Sequence, residues 1–91
     1  MDYKFAMINV GVLMDEELKA SDKAVYAVLS MYADNTSREC FPSRTTIMKK
    51  AGVSDNTSRK ALKNLSDKGY IKIFERRDKK GRRLSNGYSV L

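Results

Sequence analysis

The sequence predicts an α+β domain built from a short N-terminal strand, three helices and a C-terminal β-hairpin. Three observations carry that prediction. Between Ser21 and Lys68 apolar residues recur at helical spacing. Gly52 and Ser54, then Gly69, punctuate that stretch where helices should stop and start. After Gly69 two β-branched and aromatic runs flank a charged segment containing Gly81. A chain of 91 residues is long enough for one such domain, spanning 1–91, and too short for two.

Residues 3–10 read as the short strand, with Tyr3, Phe5, Met7 and Asn9 on one face. Gly11 and the acidic run Asp15-Glu16-Glu17 break that pattern, and the run reads as a solvated turn or helix start. A first helix is expected over about 21–33, because Val25, Val28, Leu29 and Tyr32 fall at i, i+3, i+4 and i+7. Ser21 can cap it, and Asp22 suits its positive end. Asn35 to Arg38 is a polar connector, and Cys40-Phe41-Pro42 leads into a second helix over about 43–51. Ser43 is its expected N-cap, Ile47, Met48 and Ala51 its buried side, and Gly52 its left-handed terminator.

Ser54 then caps a third helix over about 55–68, ended by Gly69. At about 100° per residue Ser58, Ala61, Leu62 and Leu65 share one face, and Asn56, Arg59, Lys60 and Lys63 the opposite one. The hairpin occupies about 70–91, with Tyr70 to Phe74 as one strand and Tyr88 and Val90 on alternate positions of the other.

Charge is distributed unevenly. The net charge is +7. Residues 1–37 carry three Lys against six Asp and Glu, a net of −3; residues 38–91 carry fifteen Lys and Arg against five acids, a net of +10. A basic C-terminal part of this kind suits a polyanion. There is no His and one Cys, which argues against His-based acid/base catalysis, an internal disulfide and a zinc site. No metal or cofactor is expected. Cys40 reads as a small buried filler, since no partner base is visible. No phosphate-binding G-x-x-x-x-G-K-[ST] run occurs. No apolar run approaches the roughly 18 residues a membrane span requires, and no secretory leader is evident. A reducing, cytoplasmic setting beside the nucleoid is the expectation.

The second and third helices, joined by Ala51-Gly52-Val53-Ser54, form a helix-turn-helix. A helix fits the major groove of duplex DNA while the helix before it braces against the backbone. On the polar face Asn56 suits adenine and Arg59 guanine, whereas Lys60 and Lys63 suit phosphates. Asp55 favours the helix N-terminus and opposes a phosphate; capping is its expected role, with acceptance from cytosine as the alternative. Ser43, Arg44 and Thr45 open the second helix, where free N–H groups and hydroxyls hold a phosphate or simply cap. Arg76, Arg77, Lys79, Lys80, Arg82 and Arg83 crowd one short hairpin, offset by Glu75 and Asp78. Such crowding does nothing for folding but suits a phosphate ridge or a narrow minor groove.

Taken in order, Cys40-Phe41-Pro42-Ser43, Ala51-Gly52-Val53-Ser54, Leu62-Lys63-Asn64-Leu65, Lys68-Gly69-Tyr70-Ile71, Gly81-Arg82-Arg83 and Ser85-Asn86-Gly87-Tyr88 resemble the winged helix-turn-helix domains of phage and plasmid replication initiators and related bacterial proteins. The resemblance runs from about Leu18 to Leu91. It implies a winged-helix fold and binding at a replication origin or operator, as a whole small protein or as part of a longer initiator working with other replication proteins. By position it implies that Asn56, Thr57, Arg59 and Lys60 read bases and that the cations from Arg76 to Arg83 form the wing. Ser58 departs from the pattern, where related helices carry an apolar residue; a buried hydroxyl there can bond back to a carbonyl one turn earlier.

Three functions compete. The first is sequence-specific binding of double-stranded DNA, in replication initiation or transcription control, by a monomer or a homodimer on paired half-sites. The second is a winged-helix protein-interaction or oligomerisation module, using residues 3–14 as an added strand or an apolar surface for self-association. RNA binding is the third, and the lack of an aromatic ladder for stacking bases argues against it.

Overall fold

In the computed structural model, which describes residues 5–91, the first regular element is a helix and not a strand. Residues 5–9 join no ladder, and α1 (Val10–Met14) follows. The cause is local. The Asn9 side chain accepts the Gly11 N–H at 2.8 Å and so starts a helical turn where the alternating pattern required extension. Val12 is fully buried by that turn, while Phe5 and Met7, expected on a sheet face, stay 93% and 56% exposed. Tyr3, the remaining apolar residue of the expected strand, lies outside the described residues.

α2 (Ala20–Tyr32) is the central helix. Its N-terminus is closed by Asp22, whose carboxylate accepts the Lys19 N–H at 3.0 Å and is approached by the Asn64 amide. These partners permit a buried carboxylate at a helix N-terminus, where the dipole favours it. Val25, Val28 and Leu29 are buried as their spacing demands. Tyr32 is 41% exposed, because the last helical residue lies past the core. Tyr26 is the large side chain that the stripe did not include, and it is fully buried. Its hydroxyl donates to the Leu91 carbonyl at 3.0 Å and accepts the Asn9 N–H at 3.3 Å, so the ring is buried without stranding its polar end.

After α2, Asp34 accepts the Thr36 and Ser37 N–H groups, which hold its carboxyl below the usual carboxylate range and turn the chain. Arg38 follows at φ +60°, and the chain enters β1 (Glu39–Cys40). This two-residue strand is the third strand of the sheet. α3 (Arg44–Ala51) and α4 (Asp55–Asp67) come next, then β2 (Ile71–Phe74) and β3 (Gly87–Val90). The antiparallel order is β1-β3-β2, with Cys40 opposite Tyr88, Ile73 also opposite Tyr88, and Phe74 opposite Gly87. The element order is that of a winged helix-turn-helix, an α+β arrangement. One core joins the elements: Leu29 of α2, Ile47 of α3 and Leu65 of α4 are fully buried, and Ile71 and Val90 of the hairpin nearly so. Each such side chain contributes about 1.5–3 kcal/mol of hydrophobic stabilisation. Cys40 is buried with them; its thiol lies 3.8 Å from the Tyr88 carbonyl, and burial pushes its pKa up to about 11. That favours the thiol over the thiolate that would act as a nucleophile.

Candidate nucleic-acid interface

The boundaries of α3 and α4, and so the turn between them, are set by three local bonds. Ser43 caps α3 by accepting the Thr46 N–H at 3.1 Å. Gly52 ends α3 at φ +71°, a left-handed conformation that glycine adopts without a Cβ penalty, and its N–H donates to the Met48 carbonyl. Val53 is half-buried against the core. Ser54 caps α4 by accepting the Thr57 N–H at 3.2 Å. Cap and terminator therefore stand where the residue types placed them.

α4 is amphipathic in the expected register. Ser58, Ala61, Leu62 and Leu65 are buried, and Asn56, Arg59, Lys60 and Lys63 are exposed. Ser58 is fully buried, and its hydroxyl donates to the Asp55 carbonyl at 2.8 Å, the bond back along the helix that a buried hydroxyl needs. Met48 and Ala51 of α3 are only half-buried, leaving Ile47 as that helix's one fully covered apolar residue.

Asp55 departs from its expected role. The cap is Ser54, and the Asp55 carboxylate instead joins two arginines: Oδ1 lies 3.2 Å from Arg44 Nη1 and Oδ2 lies 3.0 Å from Arg59 Nε. Thr57 is half-buried, and its hydroxyl accepts a hydrogen bond from Ser54 at 3.0 Å. It lines a depression between the start of α2 and α4 together with Lys19, Lys60 and Asn64. Lys63 pairs with Asp67 at 2.9 Å one turn on, a bond that raises its pKa, and stays 75% exposed. Ser43, Arg44 and Thr45 are all exposed at the start of α3.

Between the strands the hairpin narrows to a closed tip. Leu84 N–H bonds the Arg76 carbonyl, Arg77 bridges Arg83, and the Asp78 N–H donates to the Arg82 carbonyl. Asp78, by composition only an offsetting charge, also shapes this tip. Its Oδ1 accepts the Lys80 and Arg82 N–H groups at 2.9 and 2.8 Å, and Gly81 turns the chain at φ +80°. Lys79, Lys80 and Arg83 are exposed, and among the described residues no carboxylate pairs with them. Arg77 reaches Glu75 at 3.6 Å and Arg82 reaches Asp78 at 3.8 Å, weak exposed pairs worth little against solvent. The base of the wing is held differently. Arg76 lies over the Phe41 ring at 4.1 Å, and Phe41 meets Phe74 edge-on at 6.2 Å. Phe74 in turn covers Gly87, where a Cβ would collide with its ring.

A depression of about 300 Å³ separates α4 from the wing, bordered by Arg44, Arg59, Lys63, Asn86 and Tyr88. Asn86, to which the sequence pattern assigns no task, borders this cleft, and its Oδ1 is buried without a hydrogen-bond partner. The cleft thus brings together cations from α3 and α4, with Arg83 of the wing at its adjoining edge.

A family model described as a helix-turn-helix domain matches residues 16–71. The chain belongs to that family. No curated protein matches it. The matched segment of this helix-turn-helix domain contains α2, α3, the Gly52–Ser54 turn and α4, and stops at the first residue of β2. Membership supports DNA binding as the general function. The hairpin beyond Ile71 lies outside the match, so its part in binding rests on its own geometry and charge. Among the described residues no helix is long and apolar enough to cross a membrane.

Proposed function

We propose that the domain binds double-stranded DNA in a sequence-specific way, with α4 in the major groove and the wing over the adjoining backbone and minor groove. The observation that carries this is the segregation on α4. Four side chains able to meet bases or phosphates face solvent beside a cationic hairpin, and the opposite face is closed into the core. In this reading Asn56 and Arg59 read bases, with Thr57 and Lys60 beside them. Ser43, Arg44, Thr45 and Lys63 engage phosphates, and Arg77, Lys79, Lys80, Arg82 and Arg83 extend the contact along the duplex. Arg76 serves the wing from its base. The Thr57 hydroxyl accepts from Ser54, which leaves its own O–H to donate and its methyl to contact a base. The biological setting that fits is replication initiation or transcription control of phage, plasmid or bacterial type, beside the nucleoid in the cytoplasm.

Selection of bound duplexes from a random pool at physiological salt tests the reading. The expected result is enrichment of one short motif, and a two-fold repeat of it if the domain acts as a homodimer. A pool that stays random through successive rounds would sink sequence-specific binding.

A second reading has its own observation. Phe5, Met7, Val10, Met14 and Met31 are exposed, and Phe5, Ile8, Ala27 and Met31 border a depression of about 640 Å³. Apolar surface of this kind suits a protein contact, including self-association. Sedimentation at two concentrations distinguishes it: a constant monomer mass removes self-association by this face.

A further inference from the structure

We propose that Asp55 is a positioning residue for base recognition, presenting the Arg59 guanidinium to the groove in the orientation that guanine requires. This inference rests on the reading of α4 as the groove-entering helix and adds to it the base that the helix selects.

Arginine recognises guanine by directing two parallel N–H groups at O6 and N7. A guanidinium carries five N–H donors in a rigid plane, and its two terminal nitrogens form the fork. Asp55 takes Arg59 by Nε, at 3.0 Å from Oδ2. This ion-pair contact holds the carboxylate against the inner nitrogen, and no hydrogen bond ties the terminal pair to that carboxylate. Arg59 is 62% exposed, so without this ion pair its long side chain would sample many rotamers.

The carboxylate is itself restrained. Its other oxygen lies 3.2 Å from Arg44 Nη1, so turning away from Arg59 would also break the pair with α3. The Asp55 carbonyl accepts the buried Ser58 hydroxyl, which ties the first turn of α4 to the core. Ser58, the departure from the related helices, thus secures the backbone that carries the positioning carboxylate. The charge argues the same way. A carboxylate in a surface meant for phosphates weakens binding to every duplex. Its place between two arginines makes sense where discrimination, not raw affinity, is the gain.

The test compares the wild-type chain, Asp55→Asn, Arg59→Ala and the double variant on the selected motif, on that motif with each guanine replaced, and on a random duplex. Asp55→Asn keeps the side-chain shape and, at an exposed first turn, the fold; a melting curve checks this. The expected result is that Asp55→Asn binds the random duplex more tightly, while its preference for one guanine falls about tenfold or more. In the Arg59→Ala background the same substitution changes no base preference. Full retention of the guanine preference in Asp55→Asn overturns the proposal. So does loss at a cytosine in both backgrounds, which would make Asp55 a direct reader. A wild-type chain that selects no motif overturns the groove reading and this inference together, whereas a motif that Asp55→Asn leaves intact overturns the inference alone.

Discussion

The Lys68 ammonium donates to both oxygens of the Asp15 carboxylate, at 3.0 and 2.9 Å, tying the end of α4 to the turn before α2. The Tyr70 hydroxyl donates to the same carboxylate at 2.9 Å. α4 is thus anchored at its far end by a residue 53 positions away in sequence. The bond from Lys68 is the main cause that lowers the Asp15 pKa, against the opposing effect of burial, and the same bond raises the pKa of Lys68.

The first prediction is a pH dependence. A carboxyl whose folded pKa lies below its ordinary 3.8 stabilises the fold fully above that value and loses the contribution as pH falls through the lowered one. A lysine raised above 10.5 contributes fully below that value and loses it as pH climbs through the raised one. Asp15→Asn should therefore be less stable than wild type at neutral pH, and the gap should close in acid below about pH 4. Urea unfolding of both proteins across pH checks this; a gap of constant size would remove the tether from the account.

Gly87 gives the second prediction. Its cross-strand partner is Phe74, whose ring occupies the space a Cβ would need. Gly87→Ala should destabilise the fold by about 1–3 kcal/mol through overpacking at the base of the wing. The companion Phe74→Leu, Gly87→Ala double variant should recover part of the loss in the same denaturant titration. Equal stability of wild type and Gly87→Ala would show that the ring moves aside freely.

Phosphate binding by about six cations gives an affinity that falls with salt at a log–log slope near −5 on duplex DNA. Replacing Arg82 and Arg83 by Ala should weaken binding to all duplexes and flatten that slope by about two units. Fluorescence anisotropy over a salt series reads both effects. A flat slope in the wild type favours the protein-interaction reading, and a slope unmoved by the double substitution takes the wing tip out of the interface.

Arg59→Ala should cost about 1–3 kcal/mol on the preferred duplex and relax the choice of base at one position. An equal loss on every duplex would assign Arg59 to a phosphate.

The parts legible in the sequence were those with local causes. The alternation of faces along α4 follows from its 3.6-residue period, and Ser58 found the carbonyl that a buried hydroxyl needs. Gly52 and Ser54 act through bonds no more than four residues long. What escaped depended on distant partners or on competing local signals. The alternation around Phe5 and Met7 suggested a strand, but Asn9 supplied a helix cap and no neighbouring strand paired there. Glu39 and Cys40 form a strand only because β3 lies beside them. Tyr26 is buried because its hydroxyl meets backbone groups 17 and 65 residues away. At the interface, the composition of α4 identified the outward residues, whereas the Arg44–Asp55–Arg59 grouping required the angle between α3 and α4.

Tyr26 also acts as a latch. One phenol oxygen holds the chain at Asn9 and again at Leu91, so order at the two ends is shared. Trimming Leu91 would strip the ring of its acceptor and loosen the segment that enters α1, far away along the chain. Proteolysis in either of these two segments should therefore expose the other, and the two losses should appear with one time course.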